Sequence, residues 1–256
     1  TIPHDKIPPN SQFKNELTDI KHKYNIKPNS GISKYILQDI PTDKPPQLAY
    51  IYLLMKIHKQ KLPTDKLTTR PVISQVQTNI TYAAKFMNTI LQPIDQRLPT
   101  YLKDSATLIY TINSPDFQLP PNPTFLSYDI TALYPNIDTM HAIPIIHQTL
   151  LNDYLNLIPN FTNPIPHSRA TIDDVNFICD LLQYLLTHNY FTYNDITKLQ
   201  TNGTAIGSPL ATPYANIYVF YIIKLAIQSL ITKFNLPPTT TTDNIFSYHK
   251  RFVDDC

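Results

Sequence analysis

Glycine is nearly absent from this chain, with 3 in 256 residues against 24 prolines. A chain so poor in the residue that permits left-handed backbone and close approach should keep it only where geometry demands it. Two of the three, Gly203 and Gly207, fall in one short stretch, "NGTAIGSP". Charge is also scarce. Asp, Glu, Lys and Arg make up 16% of the chain, below the roughly 25% of average domains, so the surface must be rich in Asn, Thr, Ser, Tyr and Gln. A net charge of +2 does not by itself announce a nucleic-acid binder. Two cysteines, Cys179 and Cys256, are too few for a disulfide framework and fit a reducing compartment. No signal-peptide pattern is visible. The most apolar run, "IYVFYIIKLAIQSLI" at 217–231, is broken by Lys224, Gln228 and Ser229. It falls short of the ~18 apolar residues of a membrane span and reads as a buried helix.

The hydrophobic content of 42% is enough for a core of ordinary size, in one large domain or two small ones. The chain starts at Thr1 and stops inside a strand-like pattern, so we expect a fragment of a longer polypeptide. Its charge is unevenly placed. Lys56, Lys59, Lys61, Lys66 and Arg70 face the single acid Asp65, giving one short segment a charge of +4. Such a patch attracts phosphate.

Periodicity predicts an amphipathic helix over 11–24, with Phe13, Leu17 and Ile20 on one face. "LAYIYLLMK" (48–56) and "RPVIS" (70–74) read as two strands of a hairpin with a basic tip. Two helices follow, "NITYAAKFMNTILQPIDQRL" and "DSATLIYTIN". Pro120, Pro121 and Pro123 then break the chain before a strand, "TFLSYDI" (124–130), that turns into a helix around 138–155. A helix with Asp173 or Asp174 in its first turn precedes a short hairpin, "YFTYN" and "ITKLQTNG". A long helix should start with Ser208 as N-cap and Pro209 at its first position. A last strand is expected in "NIFSYHKRFVDD". Helices and strands mix without strict alternation, which points to the α+β class.

Three carboxylates then demand a reason. Asp129 ends one predicted strand, and Asp254 and Asp255 end another. Carboxylates brought together at strand ends repel unless a divalent cation, held by oxygen ligands, removes the repulsion. Two such cations suit phosphoryl transfer, activating a hydroxyl and neutralising a leaving pyrophosphate. The bland alternatives are a solvated turn for the doubled Asp and a strand-end cap for Asp129.

"SYDITALYPNI", "QTNGTAIGSPLATPYANIYV" and "RFVDD" occur in that order and resemble the three palm motifs of reverse transcriptases, most closely those of Penelope-like retroelements. "YLLMKIHK" followed by "TTRPVIS" resembles the fingers motifs of the same group. The resemblance covers residues 48–256 and implies a right-hand polymerase core. It would have an N-terminal lead at 1–47, fingers at 48–122 and palm at 123–256, with fingers elements inserted near 156–199 and the thumb absent. It implies RNA-directed DNA synthesis: two divalent cations, Mg²⁺ or Mn²⁺, an RNA template, a DNA primer and dNTP, with no membrane involved and an intracellular, nuclear setting.

By the same resemblance Asp129, Asp254 and Asp255 are catalytic metal ligands, joined by the backbone carbonyl of Ile130. Lys56 and Arg70 hold the incoming triphosphate. Tyr134 stacks under the sugar and excludes a 2′-hydroxyl, unless it is a plain core aromatic. Gly203 and Gly207 floor the pocket for the nascent base pair. Ser208 contacts nucleic acid. Lys59, Lys61 and Lys66 either do the same or form a solvated loop tip, and His58 either joins them or supports the hairpin. Ile206 departs from the pattern, standing where the subgroup usually carries Met. Two other readings compete: a non-catalytic, domesticated palm-like nucleic-acid binder, and a template-independent or RNA-synthesising polymerase, against which Tyr134 argues.

Overall fold

The computed structural model describes residues 7–38, 40, 44–56, 69–119, 122–162, 169–237, 240–253 and 255. In chain order the elements are α1 (Asn10–Lys23), α2 (Gly31–Ile36), β1 (Ala49–Met55), β2 (Thr69–Ser74), α3 (Thr81–Asp95), α4 (Ser105–Ile112), α5 (Leu133–Asn136) and α6 (Thr139–Asn152). They continue with α7 (Ile172–Thr187), β3 (Tyr190–Tyr193), β4 (Ile196–Leu199), α8 (Ala211–Lys233) and α9 (Thr242–Tyr248). The fold is mixed α+β, with one four-stranded sheet ordered β2-β1-β3-β4.

The chain divides into two compact units. The first holds Thr1–Ile90 and Tyr134–Ala211, and the second Leu91–Leu133 and Thr212–Cys256.

The first unit is built on the sheet. β1 and β2 pair antiparallel from Tyr50↔Ser74 to Met55↔Thr69, as expected of a hairpin. β3 joins β1 in parallel at Ala49↔Phe191, and β4 closes the sheet antiparallel to β3. Asn194 and Asp195 form the two-residue β3–β4 loop with φ of 48° and 58°, the left-handed pair that a tight hairpin needs and that Asn and Asp tolerate. The predicted N-terminal helix is α1, which buries Phe13 and Leu17 one turn apart. α7 starts with a capping box in which Thr171 and Asp174 satisfy each other's backbone N–H groups.

The second unit contains α4, α9 and most of α8. Asp104 caps α4 by accepting from the Thr107 N–H at 2.7 Å. Phe246 on α9 is buried against Phe220 on α8, with ring centroids 4.8 Å apart.

Four expectations differ from what is observed. Residues 124–128 join no ladder, and Asp129 alone makes a bridge, to Asp255. β-propensity needs a partner strand, and among the described residues only this short end segment supplies one. Residues 242–248 are helical rather than extended, because Thr241 caps the turn by accepting from the Asn244 N–H and Asp243 sits at the positive end of the helix. α8 starts at Ala211, not Pro209. Ser208 supplies a carbonyl to the Ala211 N–H at 3.1 Å instead of a side-chain cap, which leaves Pro213 in the first turn, where its missing N–H is harmless. α8 is buried only along its first half. Tyr214 and Ile217 are fully enclosed, whereas Leu225 and Leu230 are half exposed. Among the described residues it is the one helix long and apolar enough to cross a membrane by length and composition.

Candidate functional site

Within the second unit, Asp129 and Asp255 are paired across an antiparallel bridge, and both are exposed. Directly opposed residues of such a pair share one face, with Cβ atoms about 4.5–5.5 Å apart, and like charges placed there destabilise each other. Both carboxylates are open to solvent, which screens that repulsion. Two carboxylates on one face, with Ile130 next in the chain, fit the oxygen-donor set of a hard divalent ion. Among the described residues no group of three or more His, Cys, Asp or Glu gathers as a metal site. Asp254, the third expected ligand, lies outside the described residues, as do His58, Lys59, Lys61 and Lys66.

Asp255 is held by a tight turn. The Phe252 and Asp255 N–H groups each donate to the other's carbonyl, at 2.8 and 3.0 Å. Val253 in that turn has φ 57°. A β-branched residue there is a true outlier, costing on the order of 1–3 kcal/mol, and such strain persists only where the surroundings over-determine it.

The surroundings are specific. Arg251 is buried, at 4% exposure. One Nη1 hydrogen-bonds both the Asn216 Oδ1 at 2.8 Å and the Val253 carbonyl at 2.7 Å, and Nη2 donates to the Asn216 carbonyl at 2.8 Å. The Arg251 main chain is fixed as well, its N–H donating to Thr100 and its carbonyl accepting from Leu102. Asn216 Nδ2 in turn donates to Asp95 Oδ2 at 3.1 Å. Burial pushes the Asp95 carboxyl up to about 6, against the pull of Asn216 and the positive charge of Arg251. Next to this, Tyr128 hydroxyl and His249 Nε2 share a hydrogen bond at 2.8 Å. Burial, together with Arg251 and Lys250, holds the His249 imidazole below its usual range. A cavity of about 910 Å³ opens beside Asp255, lined mainly by apolar side chains such as Leu108, Ile112, Phe117, Leu126 and Phe252.

Within the first unit, the segment after the carboxylate-bearing stretch is bound to the glycine loop. Gly203 N–H donates to the Ile137 carbonyl at 3.0 Å, and Thr204 N–H to the Tyr134 carbonyl at 2.9 Å. The loop also extends the sheet: Ile73 N–H donates to the Ile206 carbonyl at 2.8 Å. Gly207, at φ 113°, lies so near β2 that an added Cβ would stand 2.5 Å from the Ile73 carbonyl oxygen. Both glycines thus permit a close approach, here to the chain's own backbone, whereas the sequence pointed to an approach to a ligand. Gly207 lines a polar cavity of about 630 Å³ together with Gln47, Gln75, Gln77, Thr81 and Lys85. Gln75 is 3% exposed and its Oε1 has no partner among the described residues. Arg70 is exposed on β2 opposite Leu54, and Lys56 follows two residues after Leu54, so both cations stand at the same end of the β1–β2 ladder. Tyr134 is half-buried, and Ser208 is half-buried beside Gly207.

Asp95, Asn216, Arg251 and Gln75 carry polar structure that the sequence reading passed over. For Arg251 a signal existed: with Lys250 it stands just before two carboxylates. For the other three none did, since each sits inside or beside an unremarkable apolar helix or strand.

No family model, no curated protein and no solved structure matches this chain.

Proposed function

We propose that the chain carries the nucleotidyl-transfer core of an RNA-directed DNA polymerase, adding dNTP to a primer 3′-hydroxyl. The observation that carries this reading is the opposition of Asp129 and Asp255 on one face, fixed by a strained turn. Supporting it are the order of the five resembling motifs and the bonding of the Tyr134 segment to the glycine loop.

In this reading Asp129, Asp254, Asp255 and the Ile130 carbonyl hold two divalent cations. When bound, these cations supply Lewis acidity to the attacking hydroxyl and countercharge to the departing pyrophosphate. Arg70 makes forked hydrogen bonds to the triphosphate and Lys56 adds a point charge. Gly207 and Gln75 present a polar floor to the base pair. Tyr134 sets its ring against the sugar.

The test is a Mn²⁺ titration of the chain followed by a nucleotide-extension assay on an RNA template. Binding should depend on Asp129 and be lost in Asp129→Asn, together with extension. Without metal the same variant should melt at a higher temperature than wild type, because one of two opposed charges is gone. Absence of divalent-ion binding, or binding indifferent to Asp129, would sink the enzymatic reading and leave the non-catalytic nucleic-acid binder as its successor.

A further inference from the structure

We infer that Arg251 is a positioning residue: its guanidinium, anchored on Asn216, grips the Val253 carbonyl and so holds the turn that sets Asp255 opposite Asp129. Three observations converge on it. The first is the burial of a full cation at 4% exposure, which is unfavourable unless its hydrogen bonds are placed to good purpose. The second is where those bonds go. They reach an Asn on α8 through both its side chain and its carbonyl, and the carbonyl of the one described residue in the turn with left-handed backbone. A lysine point charge cannot span both directions as a planar fork does. The third is that the Arg251 main chain is itself fixed, by bonds to Thr100 and Leu102 and a parallel bridge to Tyr101. The guanidinium therefore works from a rigid base, and the Val253 conformation, unfavourable on its own, is imposed from outside.

A buried Arg that merely stabilises the unit would have no special relation to residue 253, whereas a positioning Arg does. Glycine adopts positive φ without strain, so Val253→Gly should remove the need for the grip. The consequence for metal binding and synthesis rests on the function proposed above; the effect on the turn does not.

The experiment measures amide hydrogen exchange at Phe252 and Asp255, the two reciprocal donors of the turn, alongside Mn²⁺ affinity. Four proteins are compared: the wild-type chain, Arg251→Lys, Val253→Gly and the double variant. In Arg251→Lys both amides should exchange on the order of tenfold faster or more, as a charge-assisted bond is lost, while amides in the middle of α8 change much less. The double variant should return both toward the wild-type rate, and Mn²⁺ affinity should fall and recover in step. If Arg251→Lys does not fold, Asn216→Ser provides the second route. It withdraws the Asn216 Oδ1, one of the two Nη1 acceptors, but keeps the Asn216 carbonyl, and should raise exchange at the same two amides. Unchanged exchange at Phe252 and Asp255, or a rise that Val253→Gly does not correct, would overturn the assignment. If the amides respond as stated and no variant, wild type included, binds Mn²⁺, the positioning role stands and the polymerase reading fails.

Discussion

The Tyr134 carbonyl oxygen fills the space that a Cβ on Gly203 would need, and the same Cβ would stand 2.6 Å from Cα of Pro135. Gly203 also has φ 70°. Both the backbone conformation and the close approach exclude any other residue. Gly203→Ala should therefore destabilise the chain by more than about 2 kcal/mol, the sum of left-handed strain and displaced backbone. Urea unfolding measures it. A cost below about 0.5 kcal/mol would mean that the loop moves away from Tyr134 freely.

Asp174 should be the most stability-critical acid in the first unit. It is fully buried, and its carboxylate accepts from the N–H groups of Phe161 at 2.6 Å, Thr162 at 2.8 Å and Thr171 at 2.7 Å, and from the Thr171 hydroxyl. Burial alone would raise its pKa, but these donors outweigh it and hold the carboxyl below its ordinary value. Its stabilisation is thus present above the unfolded-state value near pH 4 and is lost as pH falls through the depressed folded value. Asp174→Ala should cost about 2–4 kcal/mol at neutral pH by thermal or urea melts, with the difference from wild type narrowing in acid.

Asp95 should act with the opposite sign. Its folded pKa, about 6, lies above the ordinary carboxylate value of 3.8, so the unfolded chain ionises it more easily. Below about pH 4 it contributes no penalty. Between about pH 4 and 6 its contribution turns unfavourable as pH rises, reaching on the order of 3 kcal/mol, and above that it is constant. Comparing stability against pH for wild type and Asp95→Asn isolates it, since this component vanishes in the variant. Parallel slopes across that window would show that Asp95 ionises in the folded chain as easily as in the unfolded one.

Tyr134 carries the sharpest consequence of the proposed function. If its ring blocks a 2′-hydroxyl, discrimination comes from built-in repulsion. Tyr134→Ala should admit ribonucleotides without weakening Mn²⁺ binding, and Tyr134→Phe should change little, because the ring supplies the bulk. Single-nucleotide extension comparing kcat/KM for dNTP and rNTP measures it, using this chain or a longer polypeptide containing it. An unchanged ratio in the Ala variant would make Tyr134 a core aromatic.

Local chemistry fixed much of the outcome from the sequence alone. The β1–β2 pair of short apolar runs, the β3–β4 hairpin, the amphipathic face of α1 and the acidic start of α7 follow from apolar runs, turn residues, helical periodicity and capping, which act over a few positions. The scarcity of glycine was itself informative: Gly203 and Gly207 both proved to be points of close backbone approach.

Tertiary structure decided the rest, because the deciding forces join residues far apart in sequence. Whether residues 124–130 form a strand depends on a partner more than a hundred residues away, and only Asp129 finds one, at Asp255. Whether 242–248 extend or coil was settled by a local cap together with burial of Phe246 against α8. That Arg251 crosses to Asn216 while Asn216 reaches Asp95 is invisible in composition or spacing. The sequence placed carboxylates at the ends of two segments. Only the folded chain brings one of each to face the other, because the bridge between Asp129 and Asp255 joins residues far apart in sequence.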